Sequence, residues 1–214
     1  MVKFLIVRHG FSLSNKDGTF TGQLDVGLSS EGIMQAQAVC KYLLENYKID
    51  GVYSSDLSRA IDTVKGVADA LNLPVITDKG LREFFCGEWE GLTVKKVEEL
   101  YPEDISRWRD KREFDDAGAT GGETRAELRE RAINTLVKIA RENDGKTVVV
   151  ATHGGTIKVM QKAWKDPLNL TVGAGWPTNA STTVVEYSDG VFTLKLNGYD
   201  AYIEGIKTEM PKGI

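Results

Sequence analysis

Apolar residues in this chain fall into short continuous blocks separated by polar segments of helical period. The first block, Phe4-Leu5-Ile6-Val7, stops abruptly at Arg8-His9-Gly10. An unbroken run of this length reads as a strand buried on both faces, as parallel α/β sheets supply. The construction recurs at Thr147-Val148-Val149-Val150-Ala151, which runs straight into Thr152-His153-Gly154-Gly155. Residues 51–54 and 74–77 predict two further strands. Residues 182–187 and 191–196, turning at Asp189-Gly190, predict a hairpin.

Helical spacing fills the intervals. Ser29 is an N-cap with Glu31 in the first turn, and Ile33, Ala36, Cys40, Leu43, Leu44 and Tyr47 follow on one face. Cys40 therefore reads as packing. A second helix begins within residues 55–60, with Leu57, Ala60, Ile61, Val64, Val67, Ala68 and Leu71 as its buried stripe. Thr124 and Glu127 form a capping box that opens a long helix carrying Leu128, Ala132, Leu136, Ile139 and Ala140. Residues 156–164 predict one more helix.

Residues 93–122 are irregular, with a short helical piece (Val94, Val97, Leu100), Pro102, and the run Arg107-Trp108-Arg109-Asp110-Lys111-Arg112. A segment this long between core elements reads as functional or as a lid over a site. Residues 204–214 read as a loose tail. Strands alternating with helices predict an α/β fold, three-layer α/β/α, with a mostly parallel sheet and one antiparallel edge strand. No repeat, low-complexity tract or linker divides residues 1–214, so the expectation is a single domain.

Composition narrows the function. The 214 residues are 41% hydrophobic and 27% charged, ordinary for a globular protein, and carry a net charge of −4. That balance argues against nucleic-acid binding, which needs clustered Lys and Arg. An anionic ligand must be held by a local basic pocket. Two cysteines, Cys40 and Cys86, make no disulfide framework, and no segment has the length of a signal-peptide core or a membrane span. The expectation is a cytoplasmic protein with no membrane association; oligomeric state is not legible.

The candidate chemistry sits at the strand ends. His9 and His153 are the two histidines of the chain, and both follow a buried strand. A lone histidine is more often a satisfied core or surface residue, but two of two at the carboxyl ends of strands, where open α/β sheets bind ligands, reverses that preference. A polar loop after Gly10 offers Ser12, Ser14, Asn15, Thr19, Thr21 and Gly22. Arg59 lies in a first helical turn, off the apolar stripe, where the helix dipole opposes a cation; it is a solvated surface residue or a phosphate clamp. Glu83, Glu88 and Glu90 lie among Phe84, Phe85 and Trp89, so one of them can be desolvated into a general acid, and spacing does not choose among the three.

Four motifs, Arg8-His9-Gly10, the stretch from Ser54-Ser55-Asp56 to Leu57-Ser58-Arg59-Ala60, the stretch from Leu81-Arg82-Glu83 to Trp89-Glu90-Gly91, and Thr152-His153-Gly154-Gly155, occur in the order seen in the histidine phosphatase superfamily, which the chain resembles over nearly its whole length. The superfamily includes cofactor-dependent phosphoglycerate mutases. The resemblance implies that His9 becomes phosphorylated, that Arg8, Arg59 and His153 bind the phosphoryl oxygens, and that Glu83 protonates the leaving alkoxide. It places Asn15, Thr21, Gly22 and Gly154 at the phosphate or substrate site, and matches Glu123 to a pattern of less certain role. Cys86 has no counterpart role.

Phosphoryl transfer is largely a matter of positioning and electrostatic stabilisation, which two arginines and a second histidine can supply without a metal or other cofactor. An attacking histidine must be neutral at one ring nitrogen and held by a hydrogen bond at the other; the Gly10 backbone or a nearby carbonyl is the expected partner. The expected activity is phosphomonoester hydrolysis of a small phosphorylated metabolite, because residues 93–122 lack the long insert of the superfamily's mutases. A mutase and a non-catalytic phosphate-binding module are the alternatives. A two-histidine metal site lacks a clear third ligand. Residues 173–179, with Trp176 and Pro177, are expected to wall the pocket.

Overall fold

A computed structural model describes residues 1–172 and 174–208. Gly173 of the expected pocket wall and residues 209–214 of the expected tail lie outside the described residues. The chain runs β1 (Val2–Arg8), α1 (Leu13–Asp17), α2 (Ser30–Asn46), β2 (Gly51–Ser54), α3 (Ser58–Leu71), β3 (Val75–Thr77), α4 (Val94–Leu100), α5 (Pro102–Arg109), α6 (Arg125–Glu142), β4 (Thr147–Thr152), α7 (Gly154–Met160), β5 (Thr182–Ser188) and β6 (Val191–Tyr199).

The six strands form one sheet in the order β3-β2-β4-β1-β5-β6. β3, β2, β4 and β1 pair in parallel, and the hairpin β5-β6 adds antiparallel pairings at one side. The predicted antiparallel edge is this hairpin, with β5 the reversed strand, one place in from the end of the sheet. The turn at Asp189-Gly190 has positive φ at both residues, as the sequence pattern predicts.

Alternation along β1 divides the core into layers. Phe4 and Ile6 face one side, with Leu136, Ile139 and Ala140 of α6 and Ile157 and Met160 of α7. Leu5 and Val7 face the other, with Val39 and Leu43 of α2 and Ala60, Val64 and Val67 of α3. This is the predicted three-layer α/β/α arrangement. The capping box of Thr124 and Glu127 is present at the start of α6.

Several local expectations are corrected. The buried face of α2 is Gly32, Gln35, Ala36, Val39 and Leu43, while Ile33 is 52% exposed. The helix is rotated toward the loop after β1, because the Gln35 side-chain carbonyl accepts from the Phe11 amide at 2.8 Å, a polar contact outside any hydrophobic pattern. A Cβ on Gly32 would collide with the Phe11 carbonyl oxygen, so the loop and helix backbones meet there directly. The predicted helix over 156–164 starts earlier, at Gly154 directly after His153, and its α-helical part ends at Met160.

Residues 93–122 are more ordered than their pattern suggests. They contain α4 and α5, with Pro102 at the first position of α5, and a third apolar cluster forms where Val97 and Ile105 pack against Phe20, Phe84, Trp89 and Leu128. Trp108 joins this cluster edge-on to Phe84 and Trp89. No helix of the described residues is long and apolar enough to cross a membrane.

Candidate active site

β1 and β4 pair in register Val7↔Ala151 and Arg8↔Thr152, so the residues that follow each strand emerge side by side. The His9 amide continues the ladder, donating to the Thr152 carbonyl at 2.9 Å. The His9 and His153 rings therefore lie 5.1 Å apart, centroid to centroid. His9 lines a cavity with Arg8, Asn15, Thr21, Gly22, Arg59, Glu83 and Gly154; His153 is fully buried behind it and is absent from the cavity wall.

The tautomer of His9 follows from one contact. Its Nδ1 is 2.7 Å from the Gly10 carbonyl oxygen, which can only accept, so Nδ1 carries the proton and Nε2 keeps its lone pair. Burial, then the charges of Arg59 and Arg8, hold its pKa well below the ordinary histidine value, which keeps the ring neutral. The Gly10 amide donates to Thr63 Oγ1 at 2.9 Å, and the His9 carbonyl accepts from Asn179 Nδ2 at 3.0 Å. His153 is likewise held well below the ordinary value, first by burial and then by Arg59. Among the described residues neither of its ring nitrogens has a hydrogen-bond partner.

Both arginines are buried. Arg8 donates to the Pro177 carbonyl at 2.5 Å, and burial, offset in part by Glu83, lowers its pKa to about 10. Arg59, expected off the apolar face of α3, is only 1% exposed and sits among the helix's buried residues. Its guanidinium reaches back to donate to the Leu24 carbonyl at 2.8 Å and the Gly22 carbonyl at 2.9 Å, and burial lowers its pKa, offset in part by nearby Glu83. These acceptors offset the opposing helix dipole. Gly22, at φ +51, lets the loop press against Glu90 where a Cβ would collide with that carboxylate.

The three candidate acids separate cleanly. Glu88 is exposed and accepts from Tyr101 Oη at 2.8 Å, while Glu90 accepts from the Gln23 amide at 2.7 Å. Glu83 alone of the three lines the cavity. Its Oε1 accepts from the Phe84 and Thr156 amides and from Thr156 Oγ1, and its Oε2 from the Gly155 amide at 2.9 Å. The carboxylate thus sits at the start of α7, where a Cβ on Gly155 would collide with it.

Glu123 has a definite place. It pairs with Arg131 through two hydrogen bonds of 2.9 and 2.6 Å and accepts from the Phe85 amide at 2.7 Å. Arg131 donates in turn to the carbonyls of Gly80, Arg82 and Glu83. The pair fastens the segment that carries Glu83 to α6. Arg82 forms a bidentate pair with Asp56 at 2.6 and 2.7 Å, tying that segment to the loop before α3.

Asn15 lies in the cap of α1, its Oδ1 accepting from the Ser12 amide and from Asn179 Nδ2, both at 3.2 Å. Thr21 donates to Ser14 Oγ at 2.6 Å. Cys86 also lines the cavity, but it is buried and burial raises its thiol pKa well above the ordinary value, which fits packing rather than chemistry. Pattern reading missed Thr63, Asn179, Arg125 and Lys158. Asn179 and Thr63 act through pairings between distant segments and leave no local signal. Trp176 lines the cavity and Pro177 holds Arg8, as a wall would.

The chain matches the family model described as histidine phosphatase superfamily (branch 1) over residues 4–199. It is 36% identical over 157 residues to phosphoglycerate mutase-like protein 4 of Arabidopsis thaliana, covering 73% of this chain and 68% of that one. It is 34% identical over 195 residues to phosphoserine phosphatase 1 of Hydrogenobacter thermophilus, covering 88% of each. A mycobacterial glucosyl-3-phosphoglycerate phosphatase, solved in complex with VO3, superposes with a TM-score of 0.78 at 27% identity, over 92% of this chain and 99% of that one.

Proposed function

Because the chain belongs to the histidine phosphatase superfamily, we propose that it is a metal-independent phosphomonoester phosphatase that works through phosphohistidine on a small phosphorylated metabolite. The observation that carries this reading is the His9 Nδ1 contact to the Gly10 carbonyl, which leaves Nε2 unprotonated in a cavity lined by Arg8 and Arg59. The named phosphatases among its relatives support it.

In the first step His9 Nε2 attacks phosphorus as the P–O bond to the leaving group breaks, and Glu83 gives the departing alkoxide its proton. Oε2 accepts one hydrogen bond where Oε1 accepts three, so it is the oxygen with room for that proton. Arg8 and Arg59 face the equatorial oxygens as charge develops there. His153, its ring 5.1 Å behind that of His9 and its nitrogens unpartnered among the described residues, is the remaining candidate donor to a phosphoryl oxygen. In the second step Glu83 takes a proton from water, water attacks the phosphohistidine, the P–N bond breaks, and His9 returns with phosphate free.

The test is trapping. Enzyme quenched during turnover should carry acid-labile, base-stable phosphate, and His9→Ala should carry none; full turnover by that variant would end the reading. The similarity to a phosphoglycerate mutase-like protein favours a second reading, in which the same phosphohistidine returns its group to a sugar acid. Formation of 2-phosphoglycerate from 3-phosphoglycerate with a bisphosphate primer, faster than phosphate release, would select it.

A further inference from the structure

Gln35 is wholly buried on the inner face of α2, outside the cavity wall. A long amide side chain placed inside a protein needs its polar groups hydrogen-bonded. Its Nε2 donates to the Ile206 carbonyl at 3.0 Å and to Thr208 Oγ1 at 3.1 Å, and its Oε1 accepts from the Phe11 amide at 2.8 Å. The Ile206 carbonyl can only accept and the Phe11 amide can only donate, so a single orientation of the side-chain amide satisfies all of these contacts.

The Phe11 amide belongs to the same peptide unit as the Gly10 carbonyl, which accepts from His9 Nδ1 at 2.7 Å. No peptide bond of the described residues is cis, so the N–H and C=O of that unit point to opposite sides of one plane. Gln35 therefore grips the far end of the group that sets the His9 tautomer. Gly10 leaves the backbone free to turn such a unit, and a Cβ there would collide with the Gly32 carbonyl oxygen, so a bulkier residue cannot supply the restraint instead. The Gly10 amide, in the preceding unit, is held separately by Thr63. A hydrogen bond at the N–H end of a peptide unit also polarises it and strengthens the carbonyl as an acceptor.

We propose that Gln35 is a positioning residue: by holding the Gly10–Phe11 peptide unit it keeps the proton of His9 on Nδ1 and leaves Nε2 free to attack phosphorus. The proposal deepens the phosphohistidine reading and rests on it for the attack, whereas the tautomer itself is measurable without turnover. Through Gln35, residues 206–208 are tied to the nucleophile, because their two acceptors fix which end of the amide faces Phe11. The competing account is a staple, in which Gln35 only fastens residues 206–208 to α2. A staple changes stability; a positioning residue changes the ring.

Nuclear magnetic resonance of protein labelled at histidine nitrogen separates the two accounts. His9 and His153 are the two histidines of the chain, so the spectrum holds two rings, and a His153→Asn sample identifies the signals of His9. In the unaltered protein near neutral pH, His9 should show a protonated Nδ1 and a bare Nε2; a mixture, or the opposite tautomer, overturns the proposal at once. Gln35→Met puts an apolar chain of the same length in place of the amide. Its His9 should show both nitrogens partly protonated, with kcat lower by about tenfold, the worth of one hydrogen bond, and KM little changed. The loss should be alike on an alkyl phosphate and on 4-nitrophenyl phosphate, since both need Nε2. Gln35→Glu keeps an oxygen for the Phe11 amide and should restore the Nδ1–H pattern and most of kcat, whatever it does to the melting temperature. If Gln35→Met folds with the His9 pattern intact, or Gln35→Glu folds and loses it, the proposal is overturned and the phosphatase reading stands. If the unaltered protein hydrolyses no ester, the phosphatase reading fails, and the response of the His9 tautomer to Gln35→Met still decides the role of Gln35.

Discussion

His9 and His153 stand ring against ring, 5.1 Å between centroids and tilted by 59°, both inside the protein and both held neutral by burial and the neighbouring arginines. In the unfolded chain each takes up a proton near pH 6.5. The folded state binds fewer protons below that value, so stability should fall as pH drops below about 6.5 and be insensitive to these groups above it. The slope is up to about 1.4 kcal/mol per pH unit for each ring. Urea midpoints between pH 5 and 8 measure it, and His153→Asn should flatten the acid limb. An unchanged limb in that variant would remove His153 as a source.

Glu83 should matter in proportion to the leaving group. General acid catalysis is worth about 10²–10⁴-fold, and a poor alkoxide needs it more than nitrophenolate does. Glu83→Gln should slow an alkyl phosphate far more than 4-nitrophenyl phosphate. Equal slowing of both would assign Glu83 to positioning, through its contacts to the Gly155 and Thr156 amides.

The Glu123–Arg131 pair should act through Glu83. Arg131→Met removes three carbonyl contacts and leaves Glu123 facing the Phe85 amide alone. The expected loss is about 2 kcal/mol of stability, with a fall in kcat on alkyl phosphates that exceeds the fall on 4-nitrophenyl phosphate. Arg131→Lys should not rescue it, because a single ammonium cannot reproduce the guanidinium fork. Thermal melts and the two-substrate comparison check both halves.

Gly154 should tolerate no side chain without disturbing Arg8. The added methyl of Gly154→Ala would lie 3.1 Å from the guanidinium carbon. A displaced clamp of this kind costs catalysis more than folding; kcat/KM should drop by about 10²-fold with little change in melting temperature. Full activity would mean that the guanidinium has room to give way.

Much of this arrangement was legible in the sequence because parallel strands buried on both faces leave continuous apolar runs, and both histidines follow such runs. The capping box at Thr124 and the Asp189-Gly190 turn were legible because their chemistry is local. Arg59 stays open between surface residue and clamp for the opposite reason: periodicity puts the cation off the apolar stripe, while its acceptors, the carbonyls of Gly22 and Leu24, come from a distant loop. The rotation of α2 depends on Gln35 and Gly32 meeting Phe11, which hydrophobic spacing does not encode. Residues 93–122 give an irregular pattern because their helices are short and their apolar residues few. Glu83 was separable from Glu88 and Glu90 by resemblance alone; their partners separate them in space.

The Arg8↔Thr152 register means that the distance between the two histidines is a property of the sheet ladder rather than of any loop. The His9 amide continues that ladder by donating to Thr152, and on the other side of the same central strand the Ser55 amide donates to Ala151. Such positions open to solvent only when the whole molecule does. Their amide protons should therefore exchange as slowly as any in the protein, and heating should abolish phosphate release and the folded signal in a single transition, with no folded but inactive form between them.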